Sequence, residues 1–265
     1  SSPPLAIVLV AVMAVLISLV PLLYLSVRVG SAGFTKFAEL VFAPRTLELI
    51  VSSLVMALVV SLSAMVVGTI QAWIAVRSNI PGRKVFAVLA ALPLAIPSYV
   101  AAYAWIAVIP GFSGFFAAWL LLTVGTAPLV YLAVSAALAR FDSSTEEVAS
   151  SLGAGKFAVL AKVTWPNIRG AAVSGGLLSA LYVLSDFGAV SIVRYDTFTR
   201  AIYNAYRASF DRDLAATLAL ILVAVTILVL VVESRSRGTK AIGTVIANRL
   251  NRIDLRGWKI PLVAL

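Results

Sequence analysis

Six apolar stretches, each about as long as a membrane-crossing helix, constrain this chain more than any motif does. A hydrocarbon core about 30 Å thick takes roughly 20 apolar residues per helix. Residues 5–27, 49–76, 85–108, 115–139, 171–193 and 214–232 meet that length. In lipid every backbone N–H and C=O must find a partner inside the protein, so the expectation is an all-α integral membrane protein, a six-span helical bundle. Composition agrees: 62% of 265 residues are hydrophobic, 12% are charged and mean hydropathy is +1.04. Soluble domains hold about 45–50% apolar residues.

The first stretch starts at Ser1 without an initiator Met and reads as a span, since it is too long for a signal peptide and no small-residue cleavage site follows it. Ser52, Ser53, Ser61, Ser63, Gly68 and Gln71 dilute the second, and small or hydroxylated residues of this kind favour close helix packing. In the third, Pro93 and Pro97 remove backbone donors and predict a kink, with Ser98 and nearby polar groups re-satisfying the ladder. That kink serves either gating or packing.

Cysteine and histidine are absent. This excludes thiolate and imidazole metal sites, haem held by His or Cys, and His-dependent nucleophiles. No cofactor is expected. The formal net charge of +10 is read as topology rather than as nucleic-acid binding. With a cytoplasmic N-terminus, fourteen Lys and Arg fall on the inner side and seven on the outer. That bias predicts both termini and the 142–166 loop in the cytoplasm. Domain 1–234 then holds the six spans, and 235–265 forms a basic tail or linker. Residues 257–265, with Trp258 and Lys259 at interfacial positions, read either as the opening of a further span or as an amphipathic tail on anionic lipid.

Between the fourth and fifth stretches lies a polar island that looks like a docking surface: Glu146-Glu147-Val148-Ala149-Ser150-Ser151-Leu152-Gly153-Ala154-Gly155, then Trp165-Pro166. Ser143 and Ser144 stand three residues before Glu146 and Glu147, the capping-box spacing, and Asp142 adds negative charge where a helix begins. Val148 and Leu152 make an i,i+4 apolar face. Gly153 and Gly155 stop the helix or admit a close partner backbone. A second short segment, 156–163, leads to Pro166, which suits the first turn of the next span. The expected product is a helix lying across the membrane surface, either docking a partner or capping the bundle.

This island, closed by Val163-Thr164-Trp165-Pro166, resembles the EAA loop of permease subunits of binding-protein-dependent ABC importers. Glu147, Ala149, Gly153 and Pro166 match the pattern, and Val148 replaces its first Ala. The resemblance implies the type I ABC importer permease fold with a cytoplasmic coupling helix, carried by Glu147, Val148, Ala149, Leu152, Gly153 and Pro166, in a bacterial or archaeal plasma membrane. It implies as partners ATP-binding cassette ATPase subunits, an extracytoplasmic substrate-binding protein and a second permease half. Residues 184–192 with 194–203 resemble ferric-iron permeases, relatives of the thiamine and polyamine permeases. Ferric iron is therefore the expected cargo, with thiamine or polyamine behind it. Permeases of this type are often two six-span halves in one polypeptide, so the chain is expected to be an N-terminal half.

Asp186 is the one acid deep in an apolar run. Charge at membrane depth is costly and faces a cavity or a partner. Asp186, with Tyr99 and Tyr103, is a candidate for the translocation path; alternatively it lies near the outer boundary or bonds a neighbouring helix. Asp186, Tyr99, Tyr103 and Tyr182 offer oxygen donors that suit a hard cation, although a path that gripped its cargo would not release it. The 194–213 segment mixes Arg and Asp, and is either a solvated outer loop or a contact for the binding protein. The chain has no G-x-x-x-x-G-K-[ST] loop, so ATP hydrolysis falls to a partner. Intramembrane proteolysis needs a His partner or two facing Asp residues. A passive channel would have no use for a docked helix.

Overall fold

The computed structural model describes residues 5–78, 81–141 and 144–236, and within them the chain is helical, with no strand. A peripheral pair opens it: α1 (Leu5–Ala32) and the short α2 (Phe34–Val41). The core is α3 (Pro44–Arg77), α6 (Gly114–Arg140) and α9 (Trp165–Ser185). Between α3 and α6 come α4 (Arg83–Ala91), a 3-10 turn (Leu92–Ala95) and α5 (Ser98–Val108). Two short helices, α7 (Ser144–Ser151) and α8 (Lys156–Val159), separate α6 from α9. After α9 follow α10 (Gly188–Ile192), α11 (Phe198–Arg207) and α12 (Arg212–Ser236). Among the described residues five helices are long and apolar enough to cross a membrane, and a bent pair makes a sixth if it counts as one span.

Apolar burial gives little net drive between helices in lipid, so close approach and interhelical hydrogen bonds decide packing. Gly68 of α3 lies against Val130 and the backbone of Ala127 and Tyr131 in α6. Gly175 of α9 lies against the backbone of Leu129 and Val130, and Gly176 meets Met65 of α3. The Trp119 indole donates to the Ser63 hydroxyl at 2.9 Å, and the Ser179 hydroxyl donates to the Gly175 carbonyl at 3.0 Å and the Thr126 carbonyl at 3.3 Å. The serines and glycine that dilute the second stretch thus sit on the packing seam. By contrast α1, largely apolar, is exposed along its length and meets the bundle through α2 and α12.

Two expected spans are corrected. The third is two helices rather than one kinked one, with 83–95 and 98–108 meeting at 101°. Ile96 and Pro97 are extended, and the Ile96 amide turns back to the Pro93 carbonyl at 3.2 Å. Pro97 thus ends one helix and precedes the next, since a proline cannot donate into a continuing ladder. The fifth, expected over 171–193, starts at Trp165 and stops at Ser185. Asp186 is extended, and its Oδ2 accepts from the amides of Ala189 at 2.9 Å and Val190 at 3.4 Å, so it begins a new helix. Asp competes with a helix interior for backbone donors and favours this capping role.

The segment after Arg194 is packed rather than an open loop. Amphipathic α11 buries Phe198 and Ala205, and Phe198 joins Leu49, Leu218 and Ile221 in a core cluster. Ser52 donates to the Asp196 carbonyl at 2.9 Å, and the Phe198 amide donates to Ser53 Oγ at 3.2 Å. Asp196 pairs with Arg45 and Arg200, while Asp213 pairs with Arg28 at 2.9 Å and Lys36 at 3.2 Å. Burial, with Asp196 alongside, raises the Tyr195 phenol above its ordinary range. Residues 79–80, 142–143 and 237–265 lie outside the described part, and with them the cap at Ser143 and the further span at 257–265.

Candidate functional site

At the end of the bundle where α3 and α6 finish, α7 leaves the core. Glu146 and Glu147 occupy its first turn, where negative charge suits the helix dipole. Its far end closes as a Schellman turn: the Ala154 amide donates to the Ala149 carbonyl at 3.1 Å, and the Gly153 amide to the Ser150 carbonyl at 3.0 Å. Gly153 has φ +86°, a conformation that side chains rarely adopt. The helix therefore stops at Gly153, and Gly155 is not needed for it.

Beyond that turn, α8 passes through a π turn (Leu160–Thr164) into α9. Pro166 stands in the first turn of α9 and brings no amide for the preceding turn. The wider π turn accommodates this loss, and Asn167 Nδ2 donates to the Val163 carbonyl at 2.6 Å. Three large apolar residues of the loop face outward, while Val159 is buried. Val148 is 60% exposed, Leu152 83% and Phe157 81%, and Glu147 is exposed beside them. Ala149 is half-buried at the back of α7.

Glu146 turns the other way. Its Oε1 accepts from Thr164 Oγ1 at 2.5 Å, and its Oε2 lies 3.5 Å from Arg77 Nη1 at the end of α3. Both charged side chains are 19% exposed. The Arg77 guanidinium also lies over the Phe141 ring, 5.7 Å from its centroid. Sequence reasoning chose Glu147 and passed over Glu146, Arg77, Thr164 and Phe157. Adjacent acids on a helix point about 100° apart, so the two can have different surroundings; nothing in the sequence pairs position 77 with 146.

The path candidates are not gathered into one site. Asp186 is 7% exposed and committed to the start of α10, with Ser98 and Tyr182 beside its carboxylate. Tyr99 and Tyr103 lie on an exposed face of α5, although the Tyr99 backbone packs on Gly188. Tyr182 and Ser98, with Pro93, Trp105, Leu122 and Gly125, line a cavity of about 340 Å³ where the broken element meets α6, α9 and α10. Among the described residues no three acidic side chains converge as metal ligands would.

Residues 64–235, which hold this loop and the helices that flank it, match the family described as binding-protein-dependent transport system inner membrane component. The chain belongs to that family. Within it the chain is 36% identical over 240 residues to the Fe(3+)-transport system permease protein FbpB 2 of Haemophilus influenzae, which covers 91% of this chain and 47% of that protein. The chain thus spans about half the length of that relative. It is 28% identical to the sulfate transport system permease protein CysT of Escherichia coli over 80% of this chain and 83% of that protein. The fold matches the alginate ABC transporter crystallised with a pentasaccharide-bound periplasmic protein, at TM-score 0.68 and 15% identity, covering 86% of this chain and 91% of that one. It also matches the inward-facing MetNI methionine ABC transporter, at TM-score 0.60 and 19% identity, covering 71% and 93%. The architecture is that of type I ABC importer permeases: an all-α, multi-pass membrane protein.

Proposed function

We propose that the chain is a permease subunit of an ATP-driven importer in which α7 and α8 form the coupling element. What carries this reading is the outward-facing apolar side chains of Val148 and Leu152 on α7, which is capped at Gly153, and of Phe157 on α8. In a membrane protein such a face at the end of the spans fits a groove in a cytoplasmic ATPase. Glu147 and Gly153 lie at its two ends, Ala149 lets the helix sit close to α8, and Pro166 fixes where α9 begins. ATP-driven closure of two ATPase subunits pulls this element and rocks the spans between outward and inward states, while a loaded binding protein docks at the opposite end. The chain itself carries out no hydrolysis.

Ferric iron is the proposed cargo, supported by the likeness to the iron-transport relative. The half-length overlap with that relative supports a second permease half, fused or separate. A second reading, an oxyanion importer, is favoured by the sulfate permease relatives. The test is ATP hydrolysis by the permease reconstituted with its ATPase, with its binding protein presented empty, iron-loaded or sulfate-loaded. Stimulation by the iron-loaded protein alone is the expected result. Stimulation by the sulfate-loaded protein would replace the cargo and keep the importer, and failure of any ATPase to co-purify would remove the importer reading itself.

A further inference from the structure

Glu147 and Glu146 are neighbours in sequence with opposite surroundings. The first is open to a partner; the second holds the loop to the core. Through one carboxylate the first turn of α7 reaches Arg77, the last residue of α3, and Thr164, which is fully buried at the entrance to α9. Arg77 in turn lies over Phe141, which directly follows α6. The ends of α3 and α9 therefore meet at Glu146, and the end of α6 reaches it through Arg77. A charge-assisted hydrogen bond in a partly buried setting is stronger and more directional than a neutral one. Arg77 Nε and Nη2 are buried without a hydrogen-bond partner, so the guanidinium's described polar contact is this carboxylate.

We infer that Glu146 is the positioning residue that transmits movement of the coupling element into α3 and α9. This inference rests on the coupling reading of α7 given above. Thirty-four residues of α3, about 51 Å at 1.5 Å per residue, end at Arg77 and reach past the hydrocarbon core, so a pull at Arg77 acts on the whole length of a core helix. Thr164 sits where the π turn passes into α9, and a π turn is a place where a helix can change its register. Without Glu146 the loop would still present Val148 and Leu152 to a partner, but it would lose its link to Arg77 and Thr164.

The test reads conformational change directly and needs no knowledge of the cargo. These 265 residues hold no cysteine, so Gly125→Cys adds a single reporter to them, and any cysteine of the ATPase or of a second half is replaced by serine; Gly125 lines the cavity and an added Cβ there meets nothing within 4 Å. The maleimide reaction rate of that cysteine is measured in the permease reconstituted with its ATPase, before and after vanadate traps the nucleotide. In the reporter background trapping is expected to change the rate. Glu146→Gln is expected to abolish that change while the ATPase still co-purifies and traps nucleotide. Thr164→Val, which keeps the ion pair and cuts only the link to α9, serves as the second variant, with thermal unfolding recorded for both. A rate change that persists in both variants would overturn the assignment, because a residue that merely stabilises the bundle would lower the unfolding temperature and leave the trapped-state change intact. If the reporter background captures no ATPase, the coupling reading fails, and the inference falls with it.

Discussion

Both Gly68 of α3 and Gly175 of α9 approach Val130, the first at its side chain and the second at its backbone, and three helices meet at that residue. A Cβ on Gly175 would fall 2.5 Å from Val130 Cα, which is backbone and cannot swing aside. Gly175→Ala is therefore expected to force α6 and α9 apart at a cost of about 1–3 kcal/mol, typical of overpacking. Gly170, on the same helix, has nothing within 4 Å of the added atom, and Gly170→Ala is expected to gain up to about 1 kcal/mol from helix propensity. Thermal unfolding of the two variants in detergent should move in opposite directions; equal shifts would mean that the seam is looser than described. Asp186 allows a similar separation of roles. Asp186→Ala leaves the amides of Ala189 and Val190 without their acceptor, and should lose about 1 kcal/mol, the usual worth of a cap. Asp186→Asn keeps an acceptor there and should retain both stability and uptake. An Asn variant that folds normally yet fails to transport would instead give the carboxylate charge a part in the path.

The coupling element depends on how α7 ends. At φ +86° a residue with a Cβ adopts the left-handed region at a cost of about 1–2 kcal/mol, so Gly153→Ala should fray the last turn of α7 without touching the spans. Gly153→Asp adds a negative charge at a helix C-terminus, where the dipole disfavours it. That variant is expected to fold, to reach the membrane and to lose ATPase association and uptake. Normal association and uptake would sink the assignment of α7. This helix was legible in the sequence because its signals are local: two acids at the start, an i,i+4 apolar pair, a glycine at the close. Apolar length was equally legible, which is why the stretches that became α1, α3, α6 and α12 were found. The errors came where composition stays apolar while the backbone turns. Pro93 and Pro97 announced a kink, but the 101° break depends on Ile96 and Pro97 both being extended. Apolar residues on both sides of Asp186 hid the end of α9, which only the capping of α10 reveals. The tie between Arg77 and Glu146 spans 69 positions, and no local pattern encodes it.

ATP is available on one side of the membrane alone, so coupling through α7 requires that its end of the spans face the cytoplasm. Of the fourteen basic residues assigned to the inner side, half lie in 235–259, so the bias comes from the tail rather than from the loops between spans. At the opposite end Arg28, Lys36, Arg45 and Arg200 stand in ion pairs with Glu48, Asp196 or Asp213. Those acids do not cancel the basic residues for orientation, because insertion responds to Lys and Arg near span ends and little to Asp and Glu. The tail should therefore hold its end of the bundle inside, and α7 with it. A cysteine-free chain makes this directly measurable. Ser150 on α7 and Ser209 after α11 are both exposed and lie at opposite ends of the spans. With a membrane-impermeant maleimide, Ser209→Cys is expected to react in intact cells and Ser150→Cys only in inverted vesicles. The reverse pattern would place Val148 and Leu152 across the membrane from any ATPase, and no coupling role for α7 would survive it.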